Sequence, residues 1–190
     1  MNGIELPSLE IPASSQLTGI DLLSSHLQLA DLAFVDMRES RFCHADLRQA
    51  NFVGANLRNA NFFEANLQEA DLGGANLVEA NFSSANLKKV VFVEANLQKA
   101  DLGRANMQEA NFMEANLKNA WFGGVNLDGA VLSNARVYGT KFYKASLRNV
   151  NLTNTKGLTD KQLGEAESYE GAFYDLTLVS VFNFSPSTGG

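Results

Sequence analysis

An all-β solenoid with a four-sided cross-section is the fold class this sequence predicts, and three observations carry it. Twenty-eight consecutive five-residue units run from Ser15 to Asn154 without a slip. The third position of every unit is Leu, Phe, Met or Val, and the position two before it is small or compact, as in Ala45 to Ala85. Sorted into four columns with a step of 20 residues, all eight phenylalanines at the third position fall in two alternate columns.

Neither a helix, with its stripe at 3.6 residues, nor a strand, with its period of two, sustains an unbroken five-step. A chain that turns a corner in every unit does. Each unit then supplies one short extended side, and sides from successive coils stack as parallel ladders about 4.8 Å apart. The large residue and the small one before it point inward, leaving the other three positions to solvent.

The column from Leu22 holds Phe42, Phe62, Phe82, Phe122 and Phe142, and the column from Leu32 holds Phe52, Phe92 and Phe112. A triangular coil, repeating every 15 residues, would scatter these rings over all three sides. Four sides put the two phenylalanine columns opposite one another, with Leu, Met and Val on the columns from Leu17 and Leu27. The result is seven coils in a rod roughly 30–35 Å long.

The other segments follow in chain order. Residues 1–14 carry Pro7 and Pro12, so an extended N-terminal cap is expected, with Ile4, Leu6, Leu9 and Ile11 sealing the first coil. Residues 155–184 are expected to form a C-terminal helix and strand-like cap. Thr159-Asp160-Lys161-Gln162 reads as a capping box opening a short helix through about Ser168, with Leu158 and Leu163 over the open Phe142–Leu152 end. The β-prone run in 169–184 lies off the five-residue register, and pairing within the same chain is its expected fate. Residues 185–190 read as a disordered tail.

Tandem Ala-(Asp/Asn)-(Leu/Phe)-X-X units such as Ala65-Asn66-Leu67 and Ala100-Asp101-Leu102 resemble the pentapeptide-repeat proteins, over 140 of the 190 residues. The resemblance implies a right-handed quadrilateral β-helix with a turn at every corner and a dry core. It implies no common catalytic residues. The family is abundant in cyanobacteria and also occurs in plastids and other bacteria. A minority are acidic mimics of double-stranded DNA that bind and protect type II topoisomerases.

Charge weighs against that last role. The formal net charge is −6, yet the units from Ser15 to Asn154 hold 14 acidic and 13 basic residues. A phosphate-backbone mimic needs a dense acidic stripe, and here Arg58, Lys88, Lys99, Lys118 and Arg148 interrupt the acidic residues. DNA-mimic protection of a topoisomerase is the alternative reading, and a structural spacer is the other. No basic stripe points to direct nucleic-acid binding.

An enzyme is not expected. His26 and His44 sit in no recognisable acid–base motif, and Cys43-His44 reads as two surface residues on a diverging corner. No metal or cofactor site is expected: the recurrent Asp and Asn precede the core residue because short polar side chains bond nearby backbone there. There is no apolar run of membrane-spanning length and no basic-then-apolar leader. A cytoplasmic home is the default expectation, with thylakoid lumen or periplasm if a targeting segment has been removed.

What remains is the surface. The outward positions of the Leu17 and Leu27 faces are polar, whereas the two phenylalanine faces are greasier. The Leu32 face shows Phe34, Val53, Val93 and Met113, with Val91 and Val131 where Asn or Asp is usual. The Leu22 face shows Leu23, Phe63 and Tyr143, with Trp121 where Asn is usual. Singly, such residues are ordinary. As rows they are candidate contact surfaces for a protein partner or for self-association. The reading is a non-enzymatic binding or scaffolding rod.

Overall fold

The computed structural model describes Pro12 and residues 14–175. Most of the expected N-terminal cap, and the whole of residues 176–190, lie outside the described residues.

The residue before each large core residue pairs in parallel with the residue 20 further on. Gln16 pairs with Asp36, Asp21 with Arg41, His26 with Asp46 and Asp31 with Asn51, and the series continues to Arg136 with Lys156. Four sides of five residues make that repeat, so the chain winds as a four-sided β-helix. Each side is tied to both neighbours: the Leu57 N–H donates to the Asn76 carbonyl at 2.8 Å, and the Asn56 N–H to the Val35 carbonyl at 3.0 Å. Parallel pairing of this kind satisfies backbone groups that a single coil would leave open.

The corners explain the period. After every core residue but Phe122, the N–H three positions on folds back to its carbonyl, as Ala60 does to Leu57 at 3.0 Å. The second corner residue has φ between +52° and +72° at every corner from Gly19 to Asn154. A positive φ at that place marks a type II turn, which glycine or asparagine fills most easily. Only Gly19, Gly54, Gly74, Gly124, Gly129 and Gly139 are glycine here, and the other corners include Glu, Lys, Leu29 and Phe34.

Phenylalanine packing settles the cross-section. Within the Leu22 column, Phe42, Phe62 and Phe82 stack with centroids 4.7 Å apart and interplanar angles of 1° and 3°. Rings from the Leu32 column meet them edge-on: Phe52 lies 5.8 Å from Phe42 at 87° and 6.1 Å from Phe62 at 88°. Opposite faces thus meet at the axis. The small inward position accepts a hydroxyl only when it is bonded, as Ser25 Oγ is to the Leu22 carbonyl (2.7 Å) and Thr140 Oγ1 to the Leu117 carbonyl (2.7 Å).

Asparagine and aspartate before the core residue do what short polar side chains favour. Asn61 Oδ1 accepts from the Phe63 N–H at 3.0 Å, and Asp71 Oδ1 from the Gly73 N–H at 2.9 Å. Neighbouring coils add amide ladders, with Asn81 donating to Asn61 at 3.2 Å and Asn86 to Asn66 at 3.0 Å.

At the C-terminal end the helix is shorter than expected, spanning Asp160–Gly164. Thr159 caps it by accepting from the Gln162 N–H, and Gln162 Oε1 reaches back to accept from the Thr159 hydroxyl at 2.9 Å, in place of the backbone N–H that a capping box would use. The Gln162 amide nitrogen donates to the carbonyls of Val137 (2.8 Å) and Thr140 (3.0 Å), which face the end of the rod. Leu158 and Leu163 are buried in the core cluster. The chain then resumes the ladder with a register shift of two: Ser146 pairs with Ser168 and Asn151 with Phe173, both in parallel. Gly171, at φ +68°, turns the corner between them.

The Leu17 and Leu27 faces carry ion pairs. Arg38 holds the Asp36 carboxyl below its usual range, and Arg48, with Gln28, does the same to Asp46. Glu69 is lowered by Gln49 and Glu79 by Lys99. Glu69 and Glu79 are exposed, and Asp36 and Asp46 are half-buried beside exposed arginines at the rod surface, so each contributes little.

Three outcomes follow from this geometry. Leu29→Asn relieves a left-handed corner at a 70 % exposed site and should raise stability by about 0.5–1 kcal/mol in urea unfolding. Phe62→Ala opens the middle of the ring stack and should cost about 3–5 kcal/mol; a loss under 1 kcal/mol would refute the stacked core. Because the four carboxylates have depressed values when folded, their contribution is present at neutral pH and is lost as pH falls through the carboxylate range, near about 4. Melting scans should show a shallow decline there, flatter in Arg48→Ala. An unchanged slope in that variant would remove Asp46 from the account.

Candidate interaction surface

The nine apolar residues singled out in the sequence divide between two opposite faces. Phe34, Val53, Val91, Val93, Met113 and Val131 lie on the Leu32 face or its corner, and Phe63, Trp121 and Tyr143 lie on the Leu22 face. No single site gathers all nine.

On the Leu32 face, Val91 and Val131 pair through the ladder with Asn111 between them. Val93 stands beside Val91 on the same coil, and Met113 follows one coil on. Valine cannot accept the N–H that Asn111 takes from Met113 at 3.0 Å, so the face gives up two turn-stabilising bonds to become apolar. Val53, Val91, Val93 and Val131 are only half-exposed. Phe34 is 59 % exposed, but its ring comes down over Gly54, where an added Cβ would fall 2.6 Å from it. The strip is flat, greasy and shallow.

The Leu22 face is more deeply shaped. Trp121 occupies the Asn position, and its indole reaches across the coil over Gly103 and Gly123. A Cβ at Gly123 would overlap the ring outright, and one at Gly103 would lie 3.0 Å from Nε1. Glycine at 123 thus leaves the space that the indole occupies, and glycine at 103 keeps its approach on the neighbouring coil open. Phe63, Ser83, Gly103, Gly123 and Tyr143 form the floor of a groove of about 540 Å³ running along the rod. Asp101 and Trp121 edge it on one side, and Ser84, Arg104, Gly124 and Lys144 on the other. Trp121 is 43 % and Tyr143 50 % exposed, and the Lys144 ammonium sits 5.4 Å from the Tyr143 ring centroid.

Two expectations need correction or extension. Cys43 is buried at 9 % exposure, its thiol directed at the Asn61 carbonyl (3.9 Å), because the side chain lies along the face instead of diverging from it. His44 does stay exposed, with Nδ1 3.2 Å from Glu64. Sequence reasoning also missed Arg104, Lys144 and the glycine floor as parts of one groove. Their signal was present: glycine recurs at the same unit position in consecutive coils, 103 and 123, beside the only tryptophan of the chain.

Among the described residues no group of His, Cys, Asp and Glu is placed to hold a metal ion. No described helix is long and apolar enough to cross a membrane.

The family model for pentapeptide repeats matches in eight copies, spread over residues 25–149. HetL, a pentapeptide repeat protein involved in heterocyst differentiation regulation in the cyanobacterium Nostoc sp. strain PCC 7120, is similar in structure at TM-score 0.59 and 23 % identity, over 90 % of this chain and 88 % of that one. QnrB1, a plasmid-mediated fluoroquinolone resistance protein, is similar at TM-score 0.69 in a trypsin-treated variant, with 17 % identity over 88 % and 93 % of the two chains. Full-length QnrB1 gives TM-score 0.62 at 17 % identity, over 89 % and 95 %. No curated protein matches significantly. At these identities the structural likeness speaks for the fold alone. The unbroken five-residue register, the four-sided ladder and the family match agree, and the chain belongs to the pentapeptide-repeat family.

Proposed function

We propose that this protein is a non-enzymatic, right-handed quadrilateral β-helix that works as a binding or scaffolding surface for a protein partner. The segment 155–175 closes its C-terminal end. The observation that carries this reading is the groove on the Leu22 face. Trp121 replaces the residue that would have bonded its own turn, and glycines at 103 and 123 make room for the indole. A face that served only to cover the core would keep the asparagine. The Leu32 strip, with Val91 and Val131 in place of asparagine, gives a second and weaker surface on the opposite side.

Partner binding on such a rod needs little shape change. Every side is pinned by backbone bonds to both neighbours, so side-chain rows are presented in a fixed array, which lowers the ordering cost of association. Protection of a topoisomerase, the alternative that the family resemblance raises, finds less support. The units from Ser15 to Asn154 are nearly neutral, and Arg104, Lys141 and Lys144 make part of the Leu22 face basic, the wrong sign for a phosphate mimic.

The test is affinity capture from the native host with two baits, the natural rod and a Val91→Asn/Trp121→Asn/Val131→Asn variant, after confirming equal melting temperatures. The expected result is a partner held by the natural rod and lost by the variant. Identical background from both baits would overturn the interaction reading in favour of a spacer. Recovery of DNA gyrase would revive topoisomerase regulation.

A further inference from the structure

We propose that the Leu22-face groove receives an acidic, proline-containing peptide segment in the polyproline II conformation. This rests on the protein-binding reading above and names the class of partner for one of its two faces.

Three features of the groove point to that occupant. The first is its lining. Phe63 and Tyr143 close the two ends of a floor otherwise of serine and glycine, with Trp121 on its edge, and aromatic-lined grooves suit polyproline II segments because the ligand is already extended and loses little entropy on docking. Pyrrolidine rings pack on exposed aromatic faces, and the glycine floor lets the ligand backbone come close. A polyproline II chain has no internal hydrogen bonds, so its carbonyls need donors. The groove offers the hydroxyls of Ser84 and Tyr143 and the indole N–H of Trp121, which is paired with no acceptor among the described residues, whereas the Ser83 hydroxyl already donates to Asn81 Oδ1 at 2.6 Å.

The second feature is charge. Arg104 and Lys144 stand on the same edge of the groove, and Lys141, the ladder partner of Trp121, lies just beyond the lining on the other side. Asp101 is the one acid lining the groove, and one of its oxygens already accepts from the Gly103 N–H at 2.9 Å. The groove is therefore net positive on a chain of formal charge −6, a local reversal that favours an acidic ligand.

The third feature is spacing. Arg104 and Lys144 are two coils apart at equivalent positions, hence about 9.6 Å along the axis at the ladder repeat. One turn of polyproline II is three residues and about 9.3 Å. A carboxylate at every third residue therefore meets both cations in register along the rod. An extended β-strand, advancing about 6.8 Å per two residues, does not keep that register.

Trp121 is the only tryptophan, so its emission reports on the groove directly. The full-length protein would be titrated with (Glu-Pro-Pro)4, (Lys-Pro-Pro)4 and (Glu-Gly-Ser)4 peptides at low salt, following the indole emission and, separately, heat of binding. Saturable binding of (Glu-Pro-Pro)4 alone is expected. Arg104→Ala/Lys144→Ala should weaken it roughly tenfold or more. Gly123→Ala, which displaces the indole without removing any contacting side chain, should weaken it comparably while the rod keeps its circular dichroism and its melting behaviour. Equal binding of (Glu-Gly-Ser)4 would reduce the groove to an unspecific cationic patch and overturn the proposal. So would binding of (Lys-Pro-Pro)4, or silence from all three peptides up to millimolar concentration. In the last case, a partner captured by the natural rod and lost on Trp121→Asn alone would leave the protein-binding reading standing while removing this class of ligand.

Discussion

Everything in this molecule depends on a backbone conformation that most of its residues do not favour. Each corner holds one residue near φ +60°, and most of these carry a side chain. Left-handed geometry costs a non-glycine residue roughly 1–2 kcal/mol, so an isolated unit of this sequence would not keep its turn. What holds the turn is the coil on either side. The N–H of the corner residue itself donates to the coil that follows, as Glu79 does to the Gln98 carbonyl at 2.9 Å. The strain is thus offset by the same stacking that it makes possible. No corner is stable without its neighbours, and the array is a single cooperative object.

The fixed corner also sets the chemistry of the interior. Five residues per side, two of them spent on turning, leave room for one large and one small inward side chain. The core is therefore a stack of layers of uniform size, and ring-on-ring stacking at the ladder spacing follows for any column that repeats phenylalanine. The mean ring separation of 4.7 Å in the Phe42–Phe62–Phe82 series is the strand spacing of the sheet expressed in side chains. Outside, the same repetition means that positions 20 residues apart always fall in the same row of the same face. Surface patterns on such a rod can be read directly as straight lines.

That regularity is why so much of the fold was legible. The five-step gave the solenoid, the segregation of Phe42 to Phe142 and Phe52 to Phe112 gave four sides, and the recurrent Asn gave the turn-bonding role seen at Asn61 and Asp71. What escaped was whatever depends on contacts between coils where the repeat changes. Cys43 was expected at the surface, since its unit position points outward, but the side chain lies back over the neighbouring backbone. The resumed ladder at Ser168 and Phe173 was hidden by the helix, which shifts the register by two and erases the period. Trp121 was visible as an exception, but its groove was not. It takes shape only when units 20 residues apart are placed side by side and Gly103, Gly123, Arg104 and Lys144 become neighbours.

Two apolar exceptions on opposite faces have a consequence for how such a rod would work. Side chains of the Leu22 and Leu32 columns meet at the axis, edge to face, at 5.8 to 6.1 Å. A ligand pressing on one face has a dry, close-packed layer beneath it, and this layer deforms little. Coupling between the faces would need an element with two discrete arrangements, and a close-packed layer of this kind is a poor source of one. Occupation of the groove and occupation of the valine strip should therefore be independent in energy. They remain linked only through geometry, as two surfaces held a fixed distance apart and facing away from each other. Holding two partners apart in this way is what a scaffold does, and it requires no more from the protein than stiffness and the departures from asparagine at Val91, Trp121 and Val131.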